Sequence, residues 1–224
     1  MNPPIAAQDL GRISYKEALE LQRSTVSARA SGQSQDVIYF AEHEPVLTVG
    51  RAGRSESLRV PKALLQARGI EVVPVERGGD VTYHGPGQIV AYPILALADL
   101  PYGRDLHRYL RDLEEVLIRV LLSYGLPGGR RHPYTGVWVG DRKVAAIGVA
   151  VRRWISFHGF ALNVDPDLGH FDLIHPCGIR NLGVTSMRAL LGEAPPRAEV
   201  LARIRDAFAN VWDRPVVEEA PCLT

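Results

Sequence analysis

The segment from about Arg104 to Tyr124 places the strongest constraint on the fold. Its apolar residues recur at spacings of three and four, which is typical of one face of a helix, and Gly125 ends the pattern. Because only one face is apolar, this helix must pack on another layer, and short apolar runs elsewhere in the chain predict strands that supply it. We therefore expect the α+β class, with helices on one side of a mixed sheet.

The remaining elements follow from capping signals and short apolar runs. Ser14 and Glu17 have the spacing of a capping box, which predicts a first helix from Ser14 to about Gly32. Two further helices are expected at about 61–68 and 196–212. Strands are expected at 37–41, 46–49, 70–75, 88–95, 134–139, 143–151 and 155–164.

Composition excludes several classes of protein. The chain has 224 residues, is 46% hydrophobic and has a formal net charge of +1, which fits one domain over 1–224 and no nucleic-acid partner. We find no signal-peptide pattern and no apolar run that would span a membrane. Two cysteines, Cys177 and Cys222, suit a reducing compartment, so the cytoplasm is expected.

The scarcity of lysine and cysteine directs attention to the few that are present. The 26 basic residues comprise 23 Arg and only Lys16, Lys62 and Lys143. Since Arg stays protonated, proton transfer near neutral pH requires another side chain. Cys177 lies between Pro176 and Gly178 in a segment without periodicity, which suits a nucleophile, although a free cysteine is more often a buried hydrophobe.

Lys143 differs from the other two lysines because it precedes eight residues without a polar side chain. Apolar surroundings lower the pKa of a lysine, and a lysine cation favours the thiolate form of a nearby cysteine. Lys143 and Cys177 are therefore candidates for a base and its nucleophile. A lysine at a strand edge that points to solvent remains an equal alternative.

The loop at Arg77–Gly87 is the expected functional loop, because paired glycines on both sides of Thr82, Tyr83 and His84 allow the backbone to approach a ligand. The sequence contains no zinc-binding spacing, no Walker loop, no dinucleotide fingerprint and no nucleophile elbow. We therefore predict neither a metal nor a cofactor.

Four segments together resemble the lipoyl(octanoyl) transferases. They are RGGDVTYHGPGQ at 77–88, DRKVAAIG at 141–148, SFHGFALNV at 156–164 and HPCGI at 175–179, and the similarity extends over about 36–190. The resemblance implies a single catalytic domain of the biotin and lipoate protein ligase type, a fold similar to class II aminoacyl-tRNA synthetases. It also implies that Cys177 carries the acyl thioester and that Lys143 lowers the pKa of its thiol.

The same resemblance implies a substrate site made of three segments. Its residues would be Arg77, Gly78, Gly79, Asp80, Val81, Thr82, Tyr83, His84, Ala146, Ile147, Gly148, Gly159, Phe160 and Ala161. Apolar residues of 144–151 would bound a channel for the octanoyl chain, and an oxyanion would be held by backbone N–H groups near Gly78–Gly79 or near Cys177.

The implied activity is transfer of an octanoyl or lipoyl group from acyl carrier protein to the acceptor lysine of a lipoyl domain. The acceptors would be lipoyl domains of 2-oxoacid dehydrogenase E2 subunits and the glycine cleavage H protein. Because carrier and lipoyl domains are acidic, we expect some of Arg51, Arg54, Arg59, Arg130 and Arg131 to dock them. The alternatives are an ATP-dependent lipoate or biotin protein ligase, an amidotransferase between lipoyl domains, and a non-catalytic module that binds acyl chains or carrier domains.

Overall fold

The computed structural model describes residues 3–174 and 183–219. Its strands are β1 (Ile5–Arg12), β2 (Val37–Glu42), β3 (Val46–Val49), β4 (Glu71–Pro74), β5 (Val81–His84), β6 (Gln88–Ile94), β7 (Gly129–Arg131), β8 (Tyr134–Val139), β9 (Arg142–Arg152), β10 (Ile155–Asn163) and β11 (Val216–Glu218). Its α-helices are α1 (Tyr15–Ala30), α2 (Lys62–Ala67), α3 (Leu106–Leu122), α4 (Met187–Leu191) and α5 (Arg197–Trp212).

Eight strands form one mixed sheet in the order β11-β1-β2-β6-β10-β9-β8-β7. Strand β1 runs parallel to both of its neighbours, and the other pairs are antiparallel. The mixed α+β class predicted from the sequence is therefore confirmed. The expected single domain over 1–224, with a ligase-like core at about 36–190, stays a prediction.

Helices cover both faces of this sheet, so the expectation that they lie on one side is wrong. Alternate strand residues explain the arrangement, because successive side chains of a strand point to opposite faces. Phe40 and Leu162 face α3 and α5 in the larger core, whereas Tyr39 and Ala161 face α1 in a second core. The capping box of α1 was visible in the sequence, but the face of the sheet on which the helix packs was not.

A second sheet of three strands, in the order β4-β3-β5, stands beside the first. Strand β5 lies inside the segment that the sequence predicted as one continuous loop, and it pairs with β3 from Val81 opposite Val49 to His84 opposite Val46. Only residues 77–80 and 85–87 around it remain irregular. The loop prediction was thus too broad.

The first helix begins as its sequence predicts. The Ser14 hydroxyl accepts from the Glu17 N–H at 3.2 Å, and the Glu17 carboxylate accepts from the Ser14 N–H at 3.2 Å. This capping box fixes the start of α1 and so sets the position of Tyr15, the first helical residue, whose ring is buried against the site described below. No helix in the described part of the chain is long and apolar enough to cross a membrane.

Candidate active site

Three motif segments converge on one cleft of about 400 Å³, a size typical of small-ligand sites. Strands β9 and β10 form its floor, and the loop before β5 forms one wall. The cleft is lined by thirteen of the fourteen residues predicted to bind substrate. The exception is Tyr83, whose ring stacks on His170 at 4.7 Å and lies in a separate apolar core. The part that these residues play in substrate binding stays a prediction.

The floor of the cleft is made of small residues in register. Gly148 lies opposite Gly159, and Ala146 lies opposite Ala161 on the neighbouring strand. Two adjacent pairs of Gly and Ala remove most of the side-chain volume that a sheet face normally carries. Arg77 packs over Gly148 and the backbone of Ala91 lies beside Gly159, so these small residues make room for close neighbours as well as for the cleft.

Apolar side chains supply most of the remaining wall. Val90, Leu106, Leu110, Ile147 and Phe171 border the cleft. The predicted channel strand contributes only in part, because Val144 and Ala145 are buried in the core beneath α3. An acyl chain in this cleft would bury its methylene groups, with each one stabilising the complex by about 0.8 kcal/mol.

Close backbone contacts hold the loop before β5 in place. The Gly50 N–H bonds to the Asp80 carbonyl at 2.9 Å, and a Cβ at Gly50 would meet the Gly79 carbonyl oxygen at 2.5 Å. The Gly78 N–H bonds to the Val149 carbonyl at 2.9 Å. The Gly78 N–H is therefore already engaged and does not serve as a free oxyanion donor.

Arg77 is a buried cation in the cleft wall. Its Nη2 donates to the Thr48 carbonyl and to the Thr48 hydroxyl, both at 2.8 Å, and its Nη1 donates to the Gly78 carbonyl at 3.0 Å. The aliphatic part of Arg77 lies against Gly148, where an added Cβ would come within 2.9 Å of Cδ. Arg77 therefore occupies its place in the wall only because residue 148 has no side chain.

A buried cluster of aromatic and histidine side chains closes one side of the cleft. Tyr15, His84, Tyr92 and His158 line it, and His43 lies behind them. His43 Nε2 is 2.6 Å from the Tyr92 hydroxyl, and the Tyr15 ring stacks on His84 at 5.8 Å. Burial lowers the pKa of His43 and holds that of His84 well below its ordinary value.

His158 connects this cluster to helix α1 and to Glu76. Its backbone has a φ of 56°, its N–H bonds to the Gln22 side chain at 2.8 Å, and its Nδ1 is 3.4 Å from the Tyr15 hydroxyl. Burial lowers the pKa of His158 to about 4, although the Glu76 carboxylate opposes that shift. His158 is therefore neutral at pH 7.

Lys143 lies where β9 enters the cleft. It is half-buried, its Nζ donates to the Thr135 carbonyl at 3.3 Å, and it stands 4.9 Å from the centre of the Trp138 ring. The backbone N–H of Lys143 bonds to the Gly183 carbonyl, and the backbone carbonyl of Lys143 accepts from the Thr185 N–H, each at 2.9 Å. The side chain thus lines the cleft and does not project freely into solvent.

The predicted nucleophile, Cys177, lies outside the described residues, as do His175 and Cys222. The described chain resumes at Gly183, which is the residue bonded to Lys143. Within residues 3–174 and 183–219, no group of three or more His, Cys, Asp or Glu side chains is placed to hold a metal ion.

Sequence reasoning missed several residues that line the cleft, among them Tyr15, Tyr92 and His158. His158 belongs to the motif at 156–164, and it is the residue directly before the predicted Gly159, so that motif carried a signal. Tyr15 carried none, because its place depends on how α1 packs on the sheet.

Residues 14–209 match a family model described as the lipoyl protein ligase A/B catalytic domain. The chain belongs to this family. It is 52% identical to an octanoyltransferase of Rubrobacter xylanophilus, over 94% of this chain and 96% of that protein. It is also 46% identical to an octanoyltransferase of Myxococcus xanthus over 97% of this chain, which spans only 62% of that relative.

The fold of this family member is also found in solved structures. A bipartite lipoate protein ligase from Thermoplasma acidophilum is similar with a TM-score of 0.75, and the match covers 99% of this chain and 89% of the ligase. Sequence identity is only 15%, so this similarity shows that the two proteins share a fold and nothing more. It agrees with the ligase type of fold expected from the sequence.

Proposed function

We propose that this chain is an octanoyltransferase that moves a medium-chain acyl group from a carrier-protein thioester to the acceptor lysine of a lipoyl domain. The observation that carries the proposal is the cleft, where the segments around Arg77, Gly148 and Gly159 meet beside Lys143. The octanoyltransferases that are about half identical over most of the chain support the same activity.

The donors and acceptors belong to this proposal. The donor is octanoyl acyl carrier protein, and the acceptors are lipoyl domains of 2-oxoacid dehydrogenase E2 subunits and the glycine cleavage H protein. Thioester is exchanged for thioester and then for amide, so no ATP and no cofactor are required. The cytoplasmic location expected from the cysteine content stays a prediction.

We assign the first chemical step to Cys177 and Lys143. A neutral Lys143 amine takes the proton of the Cys177 thiol, the thiolate attacks the thioester carbonyl, and the carbon–sulfur bond of the donor breaks. The departing carrier thiolate takes the proton back from Lys143. In the second step the acceptor amine attacks the octanoyl enzyme, and the amide bond forms as the carbon–sulfur bond to Cys177 breaks. Lys143 accepts the proton that the amine loses and passes it to the departing Cys177 thiolate.

The surroundings of Lys143 support this role. The backbone N–H of Lys143 bonds to the carbonyl of Gly183, a residue that follows Cys177 by six positions in the sequence. The Lys143 Nζ donates to the Thr135 carbonyl, and its side chain lines the cleft.

Mass spectrometry after mixing with octanoyl acyl carrier protein tests the dyad. Wild type should gain one octanoyl group as a thioester, and Cys177→Ser should gain no thioester. Lys143→Arg keeps a long basic side chain beside Trp138 but is not able to accept a proton, so acyl transfer should fall by about 100-fold or more.

The exposed Lys16, which pairs with Glu71, offers a matched control, because Lys16→Arg should leave the rate unchanged. A thioester adduct on Cys177→Ser, or a normal rate with Lys143→Arg, would show that the dyad is wrong. The fold shared with lipoate protein ligases keeps one alternative open, and ATP-dependent loading of free octanoate by wild type would favour it.

A further inference from the structure

A short basic segment, residues 51–62, joins β3 to the start of α2. It carries Arg51, Arg54, Arg59 and Lys62 against the single acid Glu56, so its formal charge is +3, whereas the whole chain has a net charge of only +1. All four basic residues are exposed. Excess positive charge is therefore concentrated on one small surface.

The arginines of the basic segment differ from most others in the chain. Twelve arginines of the described residues each form an ion pair with a carboxylate: Arg12, Arg23, Arg29, Arg108, Arg111, Arg119, Arg130, Arg188, Arg197, Arg203, Arg205 and Arg214. Within residues 3–174 and 183–219, Arg51, Arg54 and Arg59 form none. Their charge is available to an acidic partner.

The basic segment is tied directly to the cleft wall. The Arg51 N–H bonds to the Arg77 carbonyl, and the Ala52 N–H bonds to the Gly79 carbonyl, each at 3.0 Å. At its other end the Arg59 N–H bonds to the Leu173 carbonyl at 2.9 Å. The three arginines therefore stand between the loop that lines the cleft and the stretch that leads toward Cys177 in the sequence.

We propose that the basic segment docks the acidic carrier protein that donates the acyl group. This inference rests on the proposed function and adds the surface that recognises the donor. The carrier delivers its thioester on a long phosphopantetheine arm, so the body of the carrier can dock beside the cleft. An acceptor lysine has a much shorter side chain, and its domain must therefore sit at the mouth of the cleft near Lys143.

The ion pairs and ring contacts also reduce the number of candidates among the five arginines that the sequence predicted to dock acidic partners. Arg130 is held by the Glu114 and Glu115 carboxylates at 3.0 and 2.9 Å, and Arg131 lies over the Trp138 ring at 5.7 Å. Both have their interactions within this chain. Arg51, Arg54 and Arg59 remain as the donor-docking group.

The test compares two donors on one variant, Arg51→Glu combined with Arg54→Glu. With octanoyl acyl carrier protein, the second-order rate constant for forming the octanoyl enzyme should fall at least tenfold at low salt, because opposite charges steer association. With octanoyl pantetheine, which carries the same thioester without the protein, the rate should stay at the wild-type value. The wild-type rate with the carrier should fall with added salt, whereas the variant rate should respond much less.

Arg152→Glu combined with Arg153→Glu is the matched control. These two arginines are exposed and form no ion pair in the described part. Arg152 ends β9 nine residues from Lys143, about 30 Å at the rise of a strand, and Arg153 follows it. The control has the same change in charge and should keep the wild-type rate with both donors.

Three results would overturn the inference. They are a normal rate for the Arg51/Arg54 variant with the carrier, an equal loss in the control, and an equal loss with octanoyl pantetheine. Transfer from preformed octanoyl enzyme to a lipoyl domain should be unaffected, and a loss confined to that step would assign the surface to the acceptor instead. If wild type forms no octanoyl enzyme with either donor, the proposed function itself fails.

Discussion

At the scale of single residues, Gly148 is a floor position with little room for a side chain. Its φ is ordinary, so the backbone would tolerate alanine, but an added Cβ would meet Arg77 Cδ at 2.9 Å and the Gly78 carbonyl oxygen at 3.1 Å. Arg77 is held by three hydrogen-bond acceptors and has little room to retreat. The restriction at Gly148 therefore comes from packing against Arg77 and not from the conformation of its backbone.

We predict that Gly148→Ala lowers kcat/KM for acyl transfer by about tenfold, with a loss of about 1–3 kcal/mol in the free energy of unfolding from the overpacked contact. Steady-state kinetics and urea unfolding measure the two effects. Gly129→Ala is the control, because a Cβ at Gly129 meets nothing within 4 Å and should change neither quantity appreciably. Wild-type kinetics for Gly148→Ala would mean that Arg77 moves freely.

At this scale the sequence predicted the cleft residues that belong to its motifs and missed those that fold brings from elsewhere. Arg77, Gly148 and Gly159 sit in segments whose glycines and polar residues are already unusual in the chain. Tyr15 sits in an ordinary amphipathic helix, and only the docking of that helix on β10 places its ring beside His158. Local pattern carries no information about such a contact.

At the scale of elements, the hairpin of β7 and β8 is fixed to α3 through Glu114. This fully buried carboxylate accepts from Arg111 Nη1 at 2.7 Å, Arg130 Nε at 3.0 Å and the Gly136 N–H at 3.2 Å. The hairpin also carries Thr135, whose carbonyl accepts from Lys143. Glu114 thus holds the strand that positions the proposed base.

We predict that Glu114→Gln lowers the free energy of unfolding by about 1.5–3 kcal/mol, since an amide accepts fewer bonds and places its own donors against two arginines. The neighbouring Glu115→Gln is the matched control. Its carboxylate also pairs with two arginines but is one-third exposed, so the expected loss is below about 1 kcal/mol. Urea unfolding compares them, and equal losses would contradict the anchoring role of Glu114.

Elements with a long periodic pattern were predicted well, and short or atypical ones were not. The expected helix at 104–124 is α3 at Leu106–Leu122, and the expected hairpin is β8 and β9. The strand β1 was missed because its sequence, IAAQDLGR, has no alternation and ends in polar residues. Strand β11 has three residues and was missed too, because it is a strand only through pairing with β1.

At the scale of the whole molecule, three neutral histidines join the main sheet, the small sheet and α1. His43 follows β2, His84 ends β5 and His158 lies in β10, and their ring contacts run through Tyr15 and Tyr92. Burial lowers the pKa of all three. Protonating any of them places a buried charge where the three units meet, and at His158 the Glu76 carboxylate offsets this only in part.

The sign of the pH effect follows from linkage. An unfolded histidine has a pKa of about 6.5, so between that value and the lower folded value the unfolded state binds more protons. The contribution of these histidines is therefore fully present above about pH 6.5 and is lost as pH falls toward about 4, the folded pKa of His158. Asp9, Glu42 and Glu76 have lowered pKa values, and their contribution is lost mainly below pH 4.

We predict that the free energy of unfolding decreases steadily from pH 7 to pH 4.5, with each fully neutral histidine adding a slope of up to about 1.4 kcal/mol per pH unit. His158→Asn should make this slope shallower, because asparagine tolerates the positive φ of 56° but does not titrate. Urea unfolding across this range measures it. The exposed His107 gives the control: His107→Asn should keep the wild-type slope, and the same slope in all three proteins would show that His158 is not held neutral by the fold.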